Sequence, residues 1–69
     1  TTMDFVVEVL TKVFSMSTAK ATQVMLDVHK KGAGMCGVYT KDIAITKVNQ
    51  VHAMAKANDF PLKCSFEPA

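Results

Sequence analysis

His29 stands at the end of an apolar stripe. In the stretch MLDVHKKG, Met25 and Val28 are apolar and His29 lies four residues after Met25. On a helix that spacing lays the imidazole over the same face as the thioether. An imidazole can both donate and accept a hydrogen bond. At a helix end it can bond water, interact with the negative end of the helix dipole, or meet a ligand. The other reactive side chains are Cys36, His52 and Cys64. With His29 they are the right types for zinc, but their spacing matches no familiar site and contains no C-x-x-C. No metal is therefore expected. A Cys–His nucleophile needs an activated thiolate, and neither cysteine has a predicted helix N-terminus beside it. No glycine-rich phosphate loop and no carboxylate cluster is present, so the chain reads as a non-enzyme without a cofactor.

The methionines offer a second chemistry. Five of them, Met3, Met16, Met25, Met35 and Met54, are many for 69 residues. The thioether either fills irregular core gaps or lines an adaptable apolar binding surface. Composition favours the core.

Helices must position these groups. Phe5, Val6, Val9, Leu10, Val13 and Phe14 recur in pairs every four residues and predict a helix over 3–14, with Thr1 as its N-cap. Ser17 predicts the cap of a second helix over 18–31, with Ala21, Val24, Met25 and Val28 inside and Gly32 as the left-handed stop. Lys30 and Lys31 suit its negative end. Thr40 predicts a third start, over 41–57, with Ala44, Val48, Val51 and Ala55 inward; Asn58 and Pro61 end it. His52, next to Val51, reads as surface.

Two segments read as strands. Met35, Cys36, Val38 and Tyr39 predict one over 34–39, with Gly37 marking a bulge or close approach. Leu62, Cys64 and Phe66 alternate with Lys63, Ser65 and Glu67 and predict another. The expected class is α+β: a single domain over 1–69 with three helices packed on one face of a small, mainly antiparallel sheet. Two strands make a poor sheet, so this topology asks for a third.

Half the residues are apolar and a fifth are charged, a globular composition. The net charge is +2, carried by scattered lysines with no arginine and one tyrosine, which argues against a nucleic-acid surface. No apolar run approaches the length of a membrane span, and no signal peptide is visible. Two cysteines make no disulfide framework, so reduced thiols in the cytoplasm are expected.

The blocks TTMDFVVEVL, ATQVMLDVHKKG, MCGVYT, ITKV and HAMAKANDFPLKCSFE, in this order, resemble the ClpS family. The likeness runs through the whole chain. These are bacterial adaptors that hand N-degron substrates, proteins beginning with Leu, Phe, Tyr or Trp, to a ClpA-type AAA+ unfoldase. The resemblance implies a peptide pocket at Met3, Val6, Met25, Val28 and Leu62, with Met3 helping to exclude β-branched side chains. It implies a rim for the α-amino group at Thr1 and His29. It also implies contacts with the N-terminal domain of the unfoldase at Asp42 and Lys47. A rival of similar fold is the C-terminal domain of the ribosomal stalk protein, which lacks these blocks and has no N-terminal residue specificity.

The chain departs from the family pattern at its start. Family members carry a tail, a strand and a loop bearing Asn and two acidic residues before the position of Thr1. Thr2 also replaces the usual proline at the first helical position. The expectation is a core that binds N-degron peptides weakly and that associates with itself through an open sheet edge.

Overall fold

The computed structural model describes residues 1–68 and consists of α1 (Met3–Val13), α2 (Thr18–Lys31) and α3 (Lys41–Ala57). The described residues fall into two compact units, one over Thr1–Gly37 and one from Val38 onward.

In the first unit α1 and α2 pack on each other. The apolar pairs in α1 do what their spacing dictates: Phe5, Val6, Val9, Leu10 and Val13 are buried. On α2 the buried side is Ala21, Val24 and Met25, with Val28 half-buried. Ala21 has no exposed surface, and so small a side chain lets the two helix backbones approach closely. The connection over 14–17 is too short for anything but antiparallel neighbours. At the turn Ser15 takes a left-handed φ of 55°, and the Met16 N–H closes back on the Leu10 carbonyl (3.3 Å).

Capping fixes the helix ends. Thr2, not Thr1, is the N-cap of α1; its Oγ1 accepts from the Phe5 N–H at 3.1 Å. The shift by one follows from reach, since a cap hydroxyl serves the amide three residues on and only Thr2 precedes Phe5 by three. Ser17 caps α2 by accepting from the Lys20 N–H (3.1 Å). Gly32 ends α2 with φ 85°, its N–H donating to the Val28 carbonyl (2.9 Å). Thr40 takes the N-cap position of α3 without a side-chain cap bond.

In the second unit α3 buries Val51 and Ala55, while Ala44 and Val48 are half-buried. Its C-terminus is a Schellman motif. Asp59 adopts φ 58°, its N–H donates to Lys56 O (3.1 Å), and the Phe60 N–H donates to Ala55 O (2.8 Å). Asn58 adds a side-chain bond from Nδ2 to Met54 O (2.9 Å). Asp59, rather than Asn58 or Pro61, is therefore the residue that turns the chain.

The expected sheet is not there: among the described residues no strand forms, and the α+β class with an antiparallel sheet is overturned. Both segments lie outside regular secondary structure, yet they do alternate in burial. Gly34 and Cys36 are half-buried between exposed neighbours, as are Leu62 and Cys64. Alternation specifies two faces of an extended chain but supplies no partner for its N–H and C=O groups. Gly34 and Gly37 interrupt one segment and Pro61 precedes the other, which weakens pairing further. Among the described residues there is therefore no sheet edge.

Gly34 is where the first unit needs a missing side chain. A Cβ there would meet Val24 Cγ1 and Val28 Cγ2 at 3.0 Å and Val24 O at 3.1 Å, so the chain after α2 lies directly on that helix. At Gly32 a Cβ would meet nothing within 4 Å, and only the positive φ resists substitution. The two glycines thus separate packing from backbone conformation. Gly32→Ala should lower the unfolding free energy in urea by about 1–2 kcal/mol, the cost of a left-handed alanine. Gly32→Asn should cost less, because asparagine tolerates that conformation; equal losses would contradict the backbone explanation.

Candidate functional site

The hairpin opens at one end. Because α1 and α2 run antiparallel, the first turn of α1 and the last turn of α2 lie together, opposite the connection. Val6 and Met25 sit at matching distances along the two helices from that connection, and Met3 and Val28 sit one turn further out. The seam is buried as far as Phe5 (5% exposed) and becomes exposed only at its outermost residue. Val9, Leu10 and Val24 keep 3% of their surface; Val6 and Met25 keep 9%; Met3 keeps 46%. The apolar seam therefore runs out to solvent at the end that carries Thr1 and His29.

Both of those polar residues are exposed. His29 lies in the last turn of α2 beside Lys30 and Lys31. It follows Val28, whose methyl packs against the Gly34 backbone and whose carbonyl takes the Gly32 cap. The ring is thus carried by a helix end fixed on two sides. Lys31 reaches back to Asp27 at 4.0 Å, an exposed pair of little energetic weight. Four of the five expected pocket residues, Met3, Val6, Met25 and Val28, belong to this first unit. Leu62 belongs to the second, where it is half-buried on the segment after Pro61.

Asp42 and Lys47 lie on α3, Asp42 exposed in the first turn and Lys47 half-buried. They are five residues apart, which separates them by more than a quarter-turn around the helix. The Lys47 ammonium stands 5.0 Å from the centre of the Tyr39 ring, within cation–π range. That contact fixes the lysine against the residue preceding Thr40. Ile43 and Ile45 add exposed apolar surface to the same stretch of helix, as do Val38 and Tyr39 before it.

Cys64 is not poised for nucleophilic work. Neither cysteine forms a disulfide and both are half-buried. Burial pushes the Cys64 thiol up from its ordinary range, partly offset by a hydrogen bond from the Ser65 backbone. A raised thiol has less thiolate at neutral pH and is a poorer nucleophile and metal ligand. Among the described residues no three His, Cys, Asp or Glu side chains gather so as to hold a metal ion. No described helix is long and apolar enough to cross a membrane.

One contact was not legible in the residue pattern. The exposed His52 ring, on α3, accepts a hydrogen bond at Nε2 from the Cys64 backbone N–H (3.1 Å). A backbone donor twelve positions away leaves no signature in the spacing of side-chain types. The Lys47–Tyr39 pair had a weak one, since a lysine and the only tyrosine flank a predicted helix start.

Comparison with known proteins places these features. A family model described as ATP-dependent Clp protease adaptor protein ClpS matches residues 1–65. Among curated relatives, the ATP-dependent Clp protease adapter protein ClpS of Syntrophus aciditrophicus is 60% identical over 67 residues, 97% of this chain and 63% of the relative. The protein of the same name from Desulfatibacillum aliphaticivorans is 57% identical over 68 residues, 99% of this chain and 65% of the relative. That from Alkalilimnicola ehrlichii is 55% identical over all 69 residues, and 65% of its own length is covered. The chain thus spans less than two thirds of the length of these relatives.

The raised Cys64 thiol gives a direct expectation. With iodoacetamide at about pH 8, near the ordinary thiol range, Cys64 in the folded chain should alkylate several-fold more slowly than in urea. Peptide mapping of the labelled site reads this out; equal rates would contradict the burial.

Proposed function

The chain belongs to the ClpS family of Clp protease adaptors, and from that premise we propose that it recognises proteins by a bulky hydrophobic first residue and delivers them to a ClpA-type unfoldase. The observation that carries this reading is the apolar seam of α1 and α2 running out to solvent at the end that carries His29, where exposure rises from 3% at Val24 to 46% at Met3. A seam of that kind gives an incoming side chain a wall already packed on its inner side.

In this reading Met3, Val6, Met25 and Val28 receive the first side chain. The half-exposed Met3 narrows the entrance against β-branched residues. Methionine suits the task because an unbranched thioether adapts to Leu, Phe, Tyr or Trp alike. Burying such a side chain is worth roughly 1.5–3 kcal/mol. The α-amino group of the substrate donates to a neutral nitrogen of His29 and to Thr1. A hydrogen bond to a charged group adds about 1.5–3 kcal/mol. Two or three such terms, less the cost of association, leave only a few kcal/mol, in keeping with the weak binding expected of this core.

Specificity for a chain terminus follows from what is lost without it. An acetylated start deletes the ammonium donors and leaves His29 desolvated without a partner, and unpaired polar groups are costly. Asp42 and Lys47 face the N-terminal domain of the unfoldase, the lysine held in place by Tyr39. The chain works in the bacterial cytoplasm, and it transfers substrates rather than transforming them.

Peptides that differ only at the first residue test this. By fluorescence anisotropy, Leu- and Phe-first peptides should bind more tightly than Met- or Val-first ones, and N-acetylation should weaken binding at least about tenfold, the equivalent of one charge-assisted hydrogen bond. His29→Ala should weaken a Phe-first peptide by a similar factor. Affinity independent of the first residue would overturn the reading in favour of a general protein-interaction domain.

A further inference from the structure

We propose that Gly34 is a positioning residue for the recognition of a first side chain: the room left by its missing side chain sets where Val28 stands, and so how bulky a first residue the open end of the seam admits. This rests on the reading of that end as the site for a first side chain. A Cβ at Gly34 would stand 3.0 Å from Val24 Cγ1, 3.0 Å from Val28 Cγ2 and 3.1 Å from Val24 O. Non-bonded carbon atoms rest about 3.5–4.0 Å apart, so a side chain at this position displaces a neighbour.

The surroundings decide which neighbour gives way. Val24 keeps 3% of its surface, and its carbonyl belongs to the hydrogen-bond ladder of α2. Neither moves without disturbing the packing of α1 on α2. Val28 lies one turn further out and is half-buried. A valine in a helix holds essentially one χ1 rotamer, so Val28 yields by moving with the last turn rather than by swinging aside. The chain that carries Gly34 is tethered two residues earlier, where the Gly32 N–H donates to Val28 O (2.9 Å). Pressure from position 34 therefore passes into Val28. That residue shares the stripe of Ala21, Val24 and Met25, so its displacement reshapes the mouth of the seam.

Backbone conformation does not ask for glycine at this position. The left-handed glycines among the described residues are Gly32 (φ 85°) and Gly37 (φ 149°). An alanine at position 34 thus meets a spatial obstacle alone. Position 32 is the converse, with nothing within 4 Å of an added Cβ. The two substitutions load the same helix end, one through space and the other through φ.

Peptides beginning with Phe and with Leu, titrated into each variant, test the proposal. Their affinity ratio is independent of how much of the protein is folded, because unfolded chain weakens both apparent affinities equally. Gly34→Ala should lower the preference for Phe over Leu by at least about threefold, less than the tenfold or more that a whole methylene is worth in an apolar pocket. Gly32→Ala should leave the ratio as it is in the unaltered chain. In a Val28→Ala background, where the Cγ2 methyl is gone, Gly34→Ala should leave the ratio where Val28→Ala alone sets it. In the unaltered chain the Gly34 amide resonance should shift together with the Val28 methyls, further with the Phe-first peptide than with the Leu-first one. That readout needs no substitution and decides the matter if Gly34→Ala does not fold. A ratio untouched by Gly34→Ala, the same change from Gly32→Ala or in the Val28→Ala background, or a Gly34 amide indifferent to the peptide would overturn the proposal. An unaltered chain that binds every first residue alike would instead overturn the reading of the site on which it rests.

Discussion

The packing of α1 on α2 is the constraint from which the rest follows. Phe5, Val6, Val9, Leu10 and Val13 on one helix and Ala21, Val24 and Met25 on the other are eight of the ten buried apolar side chains among the described residues. At ~25 cal/mol per Å² such side chains supply roughly 1.5–3 kcal/mol each when fully buried, against the large entropy cost of ordering the backbone. Small domains live close to that balance. Each cap therefore matters: Thr2 and Ser17 at the helix starts, Gly32 at the end of α2, and Asp59 at the end of α3 satisfy groups that burial would otherwise leave orphaned.

The same packing makes the candidate site. The apolar seam of the hairpin is buried from its turn to Phe5 and Val6 and exposed at Met3, at the end of the hairpin that carries His29 and Thr1. The Gly34 contact with Val24 and Val28 stiffens the wall on the α2 side. Membership of the ClpS family gives this geometry its functional sense, while the adaptor reading itself rests on what the seam can hold: a bulky first side chain within, and a charged amine at its edge.

Much of this was legible in the residues, for physical reasons that differ by element. The spans of α2 and α3 form as the pattern predicts, but only α2 uses the signals the pattern names, the Ser17 hydroxyl and the left-handed Gly32; Thr40 makes no side-chain cap bond and Asp59, not Pro61, ends α3. The first helix was misread by one residue at its cap, because Thr1 and Thr2 are chemically equal and only the reach to the Phe5 amide separates them. The strands fared worse. Leu62 and Cys64 alternate in burial as a strand would, yet whether an extended segment becomes a strand depends on a partner elsewhere in the chain. Alternation is local and pairing is not. The His52–Cys64 bond escaped for the same reason: one of its partners is a backbone amide, present at every position and marked at none.

The account's central claim is that the open end of the α1–α2 hairpin reads the first residue of another polypeptide. Methyl and imidazole NMR of the chain, titrated with a Phe-first peptide and with its N-acetylated counterpart, addresses it most directly. The account predicts that the free-amine peptide shifts the methyls of Met3, Val6, Met25 and Val28 together with the His29 ring, and that the acetylated peptide leaves the ring in place. Shifts confined to α3, or identical shifts from both peptides, would contradict it.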